Sequence, residues 1–271
     1  MPLPPSDPTS SSDRHASALA SPGSAPPPEW FEEAFDADYL ARYAHRNADE
    51  ARRAVALVIR AADPRAGALV FDLCCGAGRH LQALREARPD LELMGGDLSA
   101  PLLAAARPAL PSADLVRLDM RHLPVATASV ELLTNFFTAF GYFENDAENF
   151  AVFREVARVL KPGAVFAFDF LNAAAARRAL AEPSDRLEPD ASGEVWRVRR
   201  SLSPDGRRAM KLQERQRDGR VLRESVRLFS AGEIERGLTE AGLTPIHRFG
   251  DYDGAPFEEA SSPRLVVVAR R

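Results

Sequence analysis

Lysine is almost missing from this chain of 271 residues: Lys161 and Lys211 stand beside 33 arginines. So strong a skew reads as genome composition, and an arginine cluster here is not by itself a site selected for guanidinium chemistry. Cysteine is equally scarce. Its two copies, Cys74 and Cys75, are neighbours, and neighbouring cysteines rarely bridge without strain. That excludes the disulfide framework on which small secreted domains rely, and both read as small buried side chains in a reducing cytosol. No apolar run approaches the roughly 18 residues of a membrane span. The net charge of −4 gives no general attraction to nucleic acid. The expectation is a cytoplasmic protein with neither membrane nor nucleic acid as a partner.

A chain of this length, 45% hydrophobic, can bury one sizeable core with room for an insertion. Residues 1–28 cannot contribute to it. They are rich in proline and serine, end in Pro26-Pro27-Pro28 and carry no aromatic residue, so they are expected to be disordered. They also lack the continuous apolar segment of a secretory signal. From Trp30 the pattern turns helical. Phe31, Phe35 and Tyr39 recur four apart with Tyr43 continuing the face, and a second helix is expected near Ala48 to Ala62.

Between Ala66 and Asn172 strand-like and helix-like runs alternate, which favours a parallel sheet covered on both faces. The strand-like runs are Leu69 to Cys74, Leu91 to Gly95, Leu115 to Leu118, Val130 to Asn135 and Ala164 to Phe170. The stretch 172–230 breaks the alternation. Runs near Val195 to Arg200, Arg208 to Glu214 and Val221 to Leu228 are joined by Asp205-Gly206 and Asp218-Gly219, both strong hairpin signals. In this meander Trp196, Val198, Met210, Leu212, Leu222, Val226 and Leu228 are expected to point one way. Arg197, Arg199, Lys211, Arg215, Arg223 and Arg227 then form an opposite, solvated face. A last helix from Gly232 to Gly242 and strands Thr244 to Phe249 and Leu265 to Ala269 close the domain, which is taken as residues 29–271.

Chemistry shows most plainly at Val70-Phe71-Asp72-Leu73-Cys74-Cys75-Gly76-Ala77-Gly78-Arg79-His80, a strand that runs through an acid into two glycines and a helical pattern. Glycines at 76 and 78 allow a sharp turn and let a ligand approach main-chain N–H groups. Tight strand-to-helix turns also carry Gly-x-Gly for steric reasons alone. Two further acids, Asp97 and Asp119, close the next apolar runs, and Asp97 lies where an acid on the second strand tip can accept ribose hydroxyls. A lone aspartate at a strand end is usually a turn or cap residue, but three in succession are harder to dismiss. Right-handed crossovers would bring all three to one edge of the sheet. A nicotinamide fingerprint needs a third glycine where Leu81 stands, and Asp72 would repel a pyrophosphate.

Together these residues resemble the class I S-adenosylmethionine-dependent methyltransferases, over roughly Trp30 to the C-terminus. Asn135-Phe136-Phe137-Thr138-Ala139-Phe140-Gly141-Tyr142-Phe143 and Arg158-Val159-Leu160-Lys161-Pro162-Gly163 are similar to one small-molecule-type branch. So are Trp30 to Arg46, Gly250-Asp251-Tyr252-Asp253-Gly254 and Pro263-Arg264-Leu265. The chain departs from the pattern at Cys74, Cys75 and His80, where many members carry glycine.

The resemblance implies a Rossmann-like α/β fold: a seven-stranded, mostly parallel sheet with helices on both faces and an antiparallel three-stranded insertion after the fifth strand. It implies S-adenosyl-L-methionine as cofactor. Asp72, Gly76 and Gly78 would wrap its methionine part, Asp97 and Leu98 the ribose, and Asp119 with Met120 the adenine. Asn135, at the fourth strand exit, would border the transferring methyl. Tyr39 would meet the cofactor's carboxylate or close the cavity, and so would Arg46, for which a surface ion pair is the plain alternative.

The acceptor side is less marked. Asn135 to Tyr142 lacks the Asp/Asn-Pro-Pro-Tyr/Phe signature of nucleobase and amide methyltransferases, and no cysteine near this strand suits five-position cytosine chemistry. Tyr142 is the candidate polar group beside the acceptor, as an orienter or weak base, with a partly buried aromatic as the plain alternative. Tyr252 and Phe257 are candidates to line the pocket, and the meander is expected to lie across its mouth. His247 reads as an edge-strand residue, while His45, His80 and His122 have no spacing partner for a metal, and Asp169 has no second acid close by. The expected activity is methyl transfer to a nitrogen or oxygen of a small molecule. An RNA methyltransferase using the arginine face, and a non-catalytic S-adenosylmethionine-binding protein, are the alternatives.

Overall fold

Apolar runs ending in polar residues become the parallel strands of one sheet in the computed structural model, which describes residues 29–36, 38–43 and 48–271. The N-terminal stretch 1–28, His45 and Arg46 lie outside the described residues. The strands are β1 (Leu69–Leu73), β2 (Glu92–Asp97), β3 (Asp114–Arg117), β4 (Val130–Asn135) and β5 (Leu160–Leu171), followed late in the chain by β10 (Thr244–Phe249) and β11 (Arg264–Arg270). Their spatial order is β10-β11-β5-β4-β1-β2-β3. Only β11 runs antiparallel to its neighbours, β5 and β10. The chain order reverses at β1, which pairs with β2 on one side and β4 on the other, and ligands of open α/β sheets bind at such a switch point.

Successive strand residues point to opposite faces, and the core divides accordingly. Val70, Leu132, Val165 and Val266 belong to one buried cluster; Phe71, Leu133, Phe166 and Val267, each the next residue, belong to the other. The first face is covered by α3 (Ala48–Ala62), α4 (Arg79–Ala87) and α5 (Ala100–Ala106), the second by α6 (Asp146–Val159) and α8 (Ala231–Glu240). Side-chain caps start several helices: Ser99 accepts from Leu102 N–H, Asn145 from Glu148 N–H, and Ser230 and Glu233 form a capping box. Phe140 centres the second face. Its ring stacks on Phe153 at 4.7 Å and meets the edges of Phe168 and Phe170.

The insertion differs from expectation in two ways. After α7 (Ala173–Ala179) it forms a separate antiparallel sheet of four strands, β6 (Ser184–Pro189), β7 (Val195–Leu202), β8 (Arg208–Arg215) and β9 (Val221–Arg227), in that order. The extra strand β6 has no apolar alternation: its one large apolar side chain, Leu187, is 64% exposed, as suits a polar edge strand. Register also reassigns β8. Trp196 pairs with Arg215, Val198 with Gln213 and Arg200 with Lys211, so Lys211 and Arg215 share the Trp196 face, while Met210 and Leu212 fall opposite Ser201 and Arg199 on the other. Hairpin geometry sets register, and a one-residue difference reverses every side chain.

The N-terminal aromatic stripe is likewise not one helix. It forms α1 (Trp30–Ala34) and α2 (Tyr39–Arg42), separated by a turn in which the Asp36 carboxylate accepts the Tyr39 N–H at 3.1 Å.

Candidate functional site

A cavity of about 410 Å³ opens at the carboxyl edge of the sheet beside β1 and β2. One end is formed by Cys74, Cys75 and Gly76 after β1, the middle by Asp97 and Leu98 at the end of β2, and the other end by Leu118, Asp119 and Met120 after β3. Positions 76, 97 and 119, distant in sequence, thus share one hollow.

Local chemistry builds the loop. Gly76 and Gly78 have φ of 55° and 77°, and Cys74 adopts the same left-handed region at 60°. A Cβ on Gly76 would meet only Leu102, at 3.9 Å, so glycine is needed there for its backbone angle. On Gly78 a Cβ would lie 2.5 Å from Leu110 Cδ1, so that glycine lets α4 pack close against the segment after α5. The Asp97 carboxylate ties the loop to the second strand, accepting Gly76 N–H and Ser99 N–H, each at 2.8 Å. Burial, opposed by these bonds, raises its pKa. At Asp119 burial pulls upward too, but the Arg121 guanidinium, at 2.6 to 3.1 Å, prevails and lowers it.

Asp72, Asn135 and Gly78 stand behind the lining. Asp72 Oδ1 accepts the Thr134 hydroxyl at 2.7 Å, while its Oδ2 is buried with no hydrogen-bond partner. Burial, countered by the Thr134 bond and assisted by the charge of Asp97, pushes Asp72 up to about 7. Asn135 donates to Leu73 O and Ala139 O, and its own Oδ1 is also buried and unpartnered. Two orphaned oxygens beneath a glycine loop fit a cationic group arriving there, because buried polar atoms otherwise find partners. Both cysteine thiols are pushed up by burial and by nearby carboxylates, so they remain protonated; both are free.

The opposite wall is aromatic. Phe31, Phe35, Tyr39 and Tyr43 line the cavity from the N-terminal segment, and Tyr142 and Phe143 from beyond β4. Tyr142 packs its ring against Trp30 at 5.0 Å and Phe35 at 5.7 Å. Ser99 Oγ donates to Phe35 O at 2.6 Å, fastening the segment to the β2 end. Arg42 fastens its other side: the side chain, 2% exposed, donates to Gln213, Ala34 O and Asp36 and lies 5.1 Å over the Trp196 ring. Tyr43 donates to Glu224 at 2.8 Å and is also met by Lys211.

The small sheet therefore grips the back of the aromatic segment, and among the described lining residues none comes from β6 to β9. The expectation that the meander itself covers the mouth is corrected in that respect. Tyr252 and Phe257 are corrected too: neither lines the cavity, and Tyr252 is buried with its hydroxyl on Asp169 at 2.6 Å. His247 is exposed on β10. Arg79, His80, Phe136, Phe137 and Tyr43 also line the cavity, though no sequence motif marks them for it. His80 stacks on Phe136 at 4.3 Å, and its position one residue into α4 was the available signal. Among the described residues no group of three His, Cys, Asp or Glu side chains is placed to hold a metal, and no helix is long and apolar enough to cross a membrane.

A seven-stranded sheet of this order with a cavity at its switch point defines a Rossmann-like α/β fold. A family model described as a methyltransferase domain matches residues 70–163. Trans-aconitate 2-methyltransferase of Acidovorax sp. (strain JS42) is 30% identical over 171 residues, 63% of this chain and 62% of that protein. The chain thus spans about six tenths of the length of that curated relative. The CcbJ methyltransferase of Streptomyces caelestis superposes with a TM-score of 0.70 at 20% identity, covering 85% of this chain and 95% of that one. CalS10, an amino pentose methyltransferase from Micromonospora echinaspora solved with S-adenosylmethionine bound, gives 0.60 at 24% identity, covering 86% and 96%. These two likenesses show the fold. Residues 70–163 thus match a methyltransferase domain, and the chain is similar to S-adenosylmethionine-dependent methyltransferases in sequence and in fold.

Proposed function

We propose that this protein transfers the methyl group of S-adenosylmethionine to a nitrogen or oxygen atom of a small-molecule acceptor, with residues 29–271 as the methyltransferase domain and 172–230 as an insertion within it. The observation that carries this reading is the single cavity shared by the Gly76 loop, Asp97 and the Asp119-Met120 pair, faced by an aromatic wall. Asp97 would accept the ribose hydroxyls and Asp119 with Met120 would border the adenine. Asp72 Oδ2 and Asn135 Oδ1 would meet the ammonium of the methionine part, with Gly76 and Gly78 shaping the loop around it. Tyr39 would close the cavity. When bound, the cofactor supplies a methyl group already activated by positive sulfur, so the chain's task is alignment and exclusion of water. The aromatic wall serves both ends, and Tyr142 would orient the acceptor.

Trans-aconitate and amino pentose, the acceptors named for two relatives, are both small molecules, which favours that class. An RNA substrate would need free cations along a track. Instead Arg197 is held by Asp185, Arg199 by Glu214, Arg215 by Asp38 and Asp218, and Arg227 by Asp146 and Glu233. Calorimetry tests the cofactor. S-adenosylmethionine should bind and NAD should not, and Asp97→Ala should weaken binding by roughly 1.5–3 kcal/mol through loss of a charge-assisted bond. Binding of NAD in preference, or an unchanged affinity in the variant, would reject the assignment.

A further inference from the structure

Beyond β4 the chain does something costly. Phe137 and Thr138 adopt φ of 64° and 61°, the left-handed region, in succession. For an aromatic and a β-branched residue this is a strained backbone, and such strain persists only where the surroundings over-determine it.

The surroundings are specific. Asp169, on β5, has a fully buried side chain. Its Oδ2 accepts the Phe137 N–H at 2.7 Å, and its main-chain carbonyl accepts the Thr138 N–H at 3.2 Å. The carboxylate is itself held by Arg264 of β11, at 2.6 and 2.7 Å to its two oxygens, and by the Tyr252 hydroxyl at 2.6 Å. Arg264 reaches on to Tyr252 at 2.6 Å and to Glu50 of α3 at 3.4 Å, and Glu50 pairs with Arg79 of α4 at 3.1 Å. The Phe137 ring, in the cavity wall, lies 4.9 Å from the Arg79 guanidinium carbon and 5.8 Å from that of Arg264. Groups from β5, β11, α3 and α4 thus converge on one turn whose ring faces the site.

We propose that Asp169 is a positioning residue of the acceptor site: it holds Phe137 and Thr138 in the left-handed conformation, so that the Phe137 ring is a fixed wall against which the acceptor is aligned with the methyl donor. Arg264 and Tyr252 act through Asp169, keeping its carboxylate turned to the Phe137 N–H. The methyl-transfer reading above supplies what the wall is for; the strap itself is a property of the fold.

The test is fluorine NMR on the full chain with 4-fluorophenylalanine placed at 137. The unsubstituted protein should show one resonance, which moves when S-adenosylmethionine is added. Asp169→Asn, which keeps the shape and loses the charge, should raise a second conformer by about tenfold, the lower part of the range set by left-handed strain. Adding Thr138→Gly to Asp169→Asn should restore the single resonance, because glycine adopts that angle freely; a role confined to general folding would not be rescued there. S-adenosylmethionine affinity should stay within about twofold in both variants, since Asp169 makes none of the hydrogen bonds that hold Gly76 and Ser99 on Asp97. Should Asp169→Asn fail to fold, Tyr252→Phe is read in the same way. An unaltered resonance in the variant, no rescue by Thr138→Gly, or a ring insensitive to bound cofactor would overturn the proposal. If the unsubstituted protein does not bind S-adenosylmethionine, the methyl-transfer reading fails, while the ligand-free comparison of variants still decides the strap.

Discussion

Asp72→Asn offers a quantitative check on the cradle. Asp72 is 1% exposed, has one bonded and one orphaned carboxyl oxygen, and is driven by burial from 3.8 to about 7. A shift of that size corresponds to about 4 kcal/mol of differential stability between its two protonation states. The sign follows from linkage. A carboxyl whose folded pKa lies above its unfolded one lets the native state hold an extra proton, so its contribution is complete below pH 3.8 and is lost as pH rises toward about 7. Asparagine keeps the shape and the bond to Thr134 but does not titrate. Urea denaturation of the ligand-free proteins should therefore show the variant gaining on the parent by about 2.5 kcal/mol between pH 5 and pH 8, most of it below pH 7. S-adenosylmethionine should bind the parent more weakly as pH falls below about 7, because protonation of Asp72 removes the charge that its ammonium would meet; the variant should lack this dependence. Stability curves that run parallel across the range would refute the argument, since they would mean that Asp72 titrates alike in the folded and unfolded chains.

Three further outcomes follow from packing. Gly78→Ala sets a Cβ against Leu110 at a left-handed φ, and should cost about 2–4 kcal/mol in chemical denaturation. Phe140→Ala removes the ring at the centre of the second core face and should cost about 3–5 kcal/mol, read from the same denaturation series. Arg42→Ala should cost about 3 kcal/mol and loosen the Tyr39–Tyr43 wall, so that S-adenosylmethionine affinity falls along with the melting temperature.

Much of this molecule was legible in the sequence because the parallel sheet follows a rule of hydrophobic pairs. Val70-Phe71, Leu132-Leu133, Val165-Phe166 and Val266-Val267 serve two covered faces, which appears as continuous apolar runs. The site ends of β1, β2 and β3 were visible too, since glycine and aspartate punctuate those runs. Other features depend on partners far along the chain. The register of β8 rests on hairpin geometry, so alternation alone puts Met210 and Leu212 on the wrong face and Lys211 and Arg215 on the outer one. The polar β6 carries no periodic signal. Arg42 reads as one more arginine in an arginine-rich chain until Gln213 and Trp196, more than 150 residues later, close around it. Asp169 likewise reads as a lone acid; its meaning comes from Arg264, 95 positions away, and from the angles at 137 and 138.

Cys75 gives the cofactor loop a dependence on the neighbouring strand. A side-chain carbon built on Gly95 would lie 2.8 Å from Cys75 Sγ and 2.6 Å from Leu81 Cδ1. The thiol thus occupies volume that the bare backbone of β2 leaves vacant, and the two positions share a single allotment of space. Enlarging residue 95 is open only to a chain that first shrinks residue 75 and draws back Leu81 and Leu115, so Gly95 and the sulfur above it constrain one another.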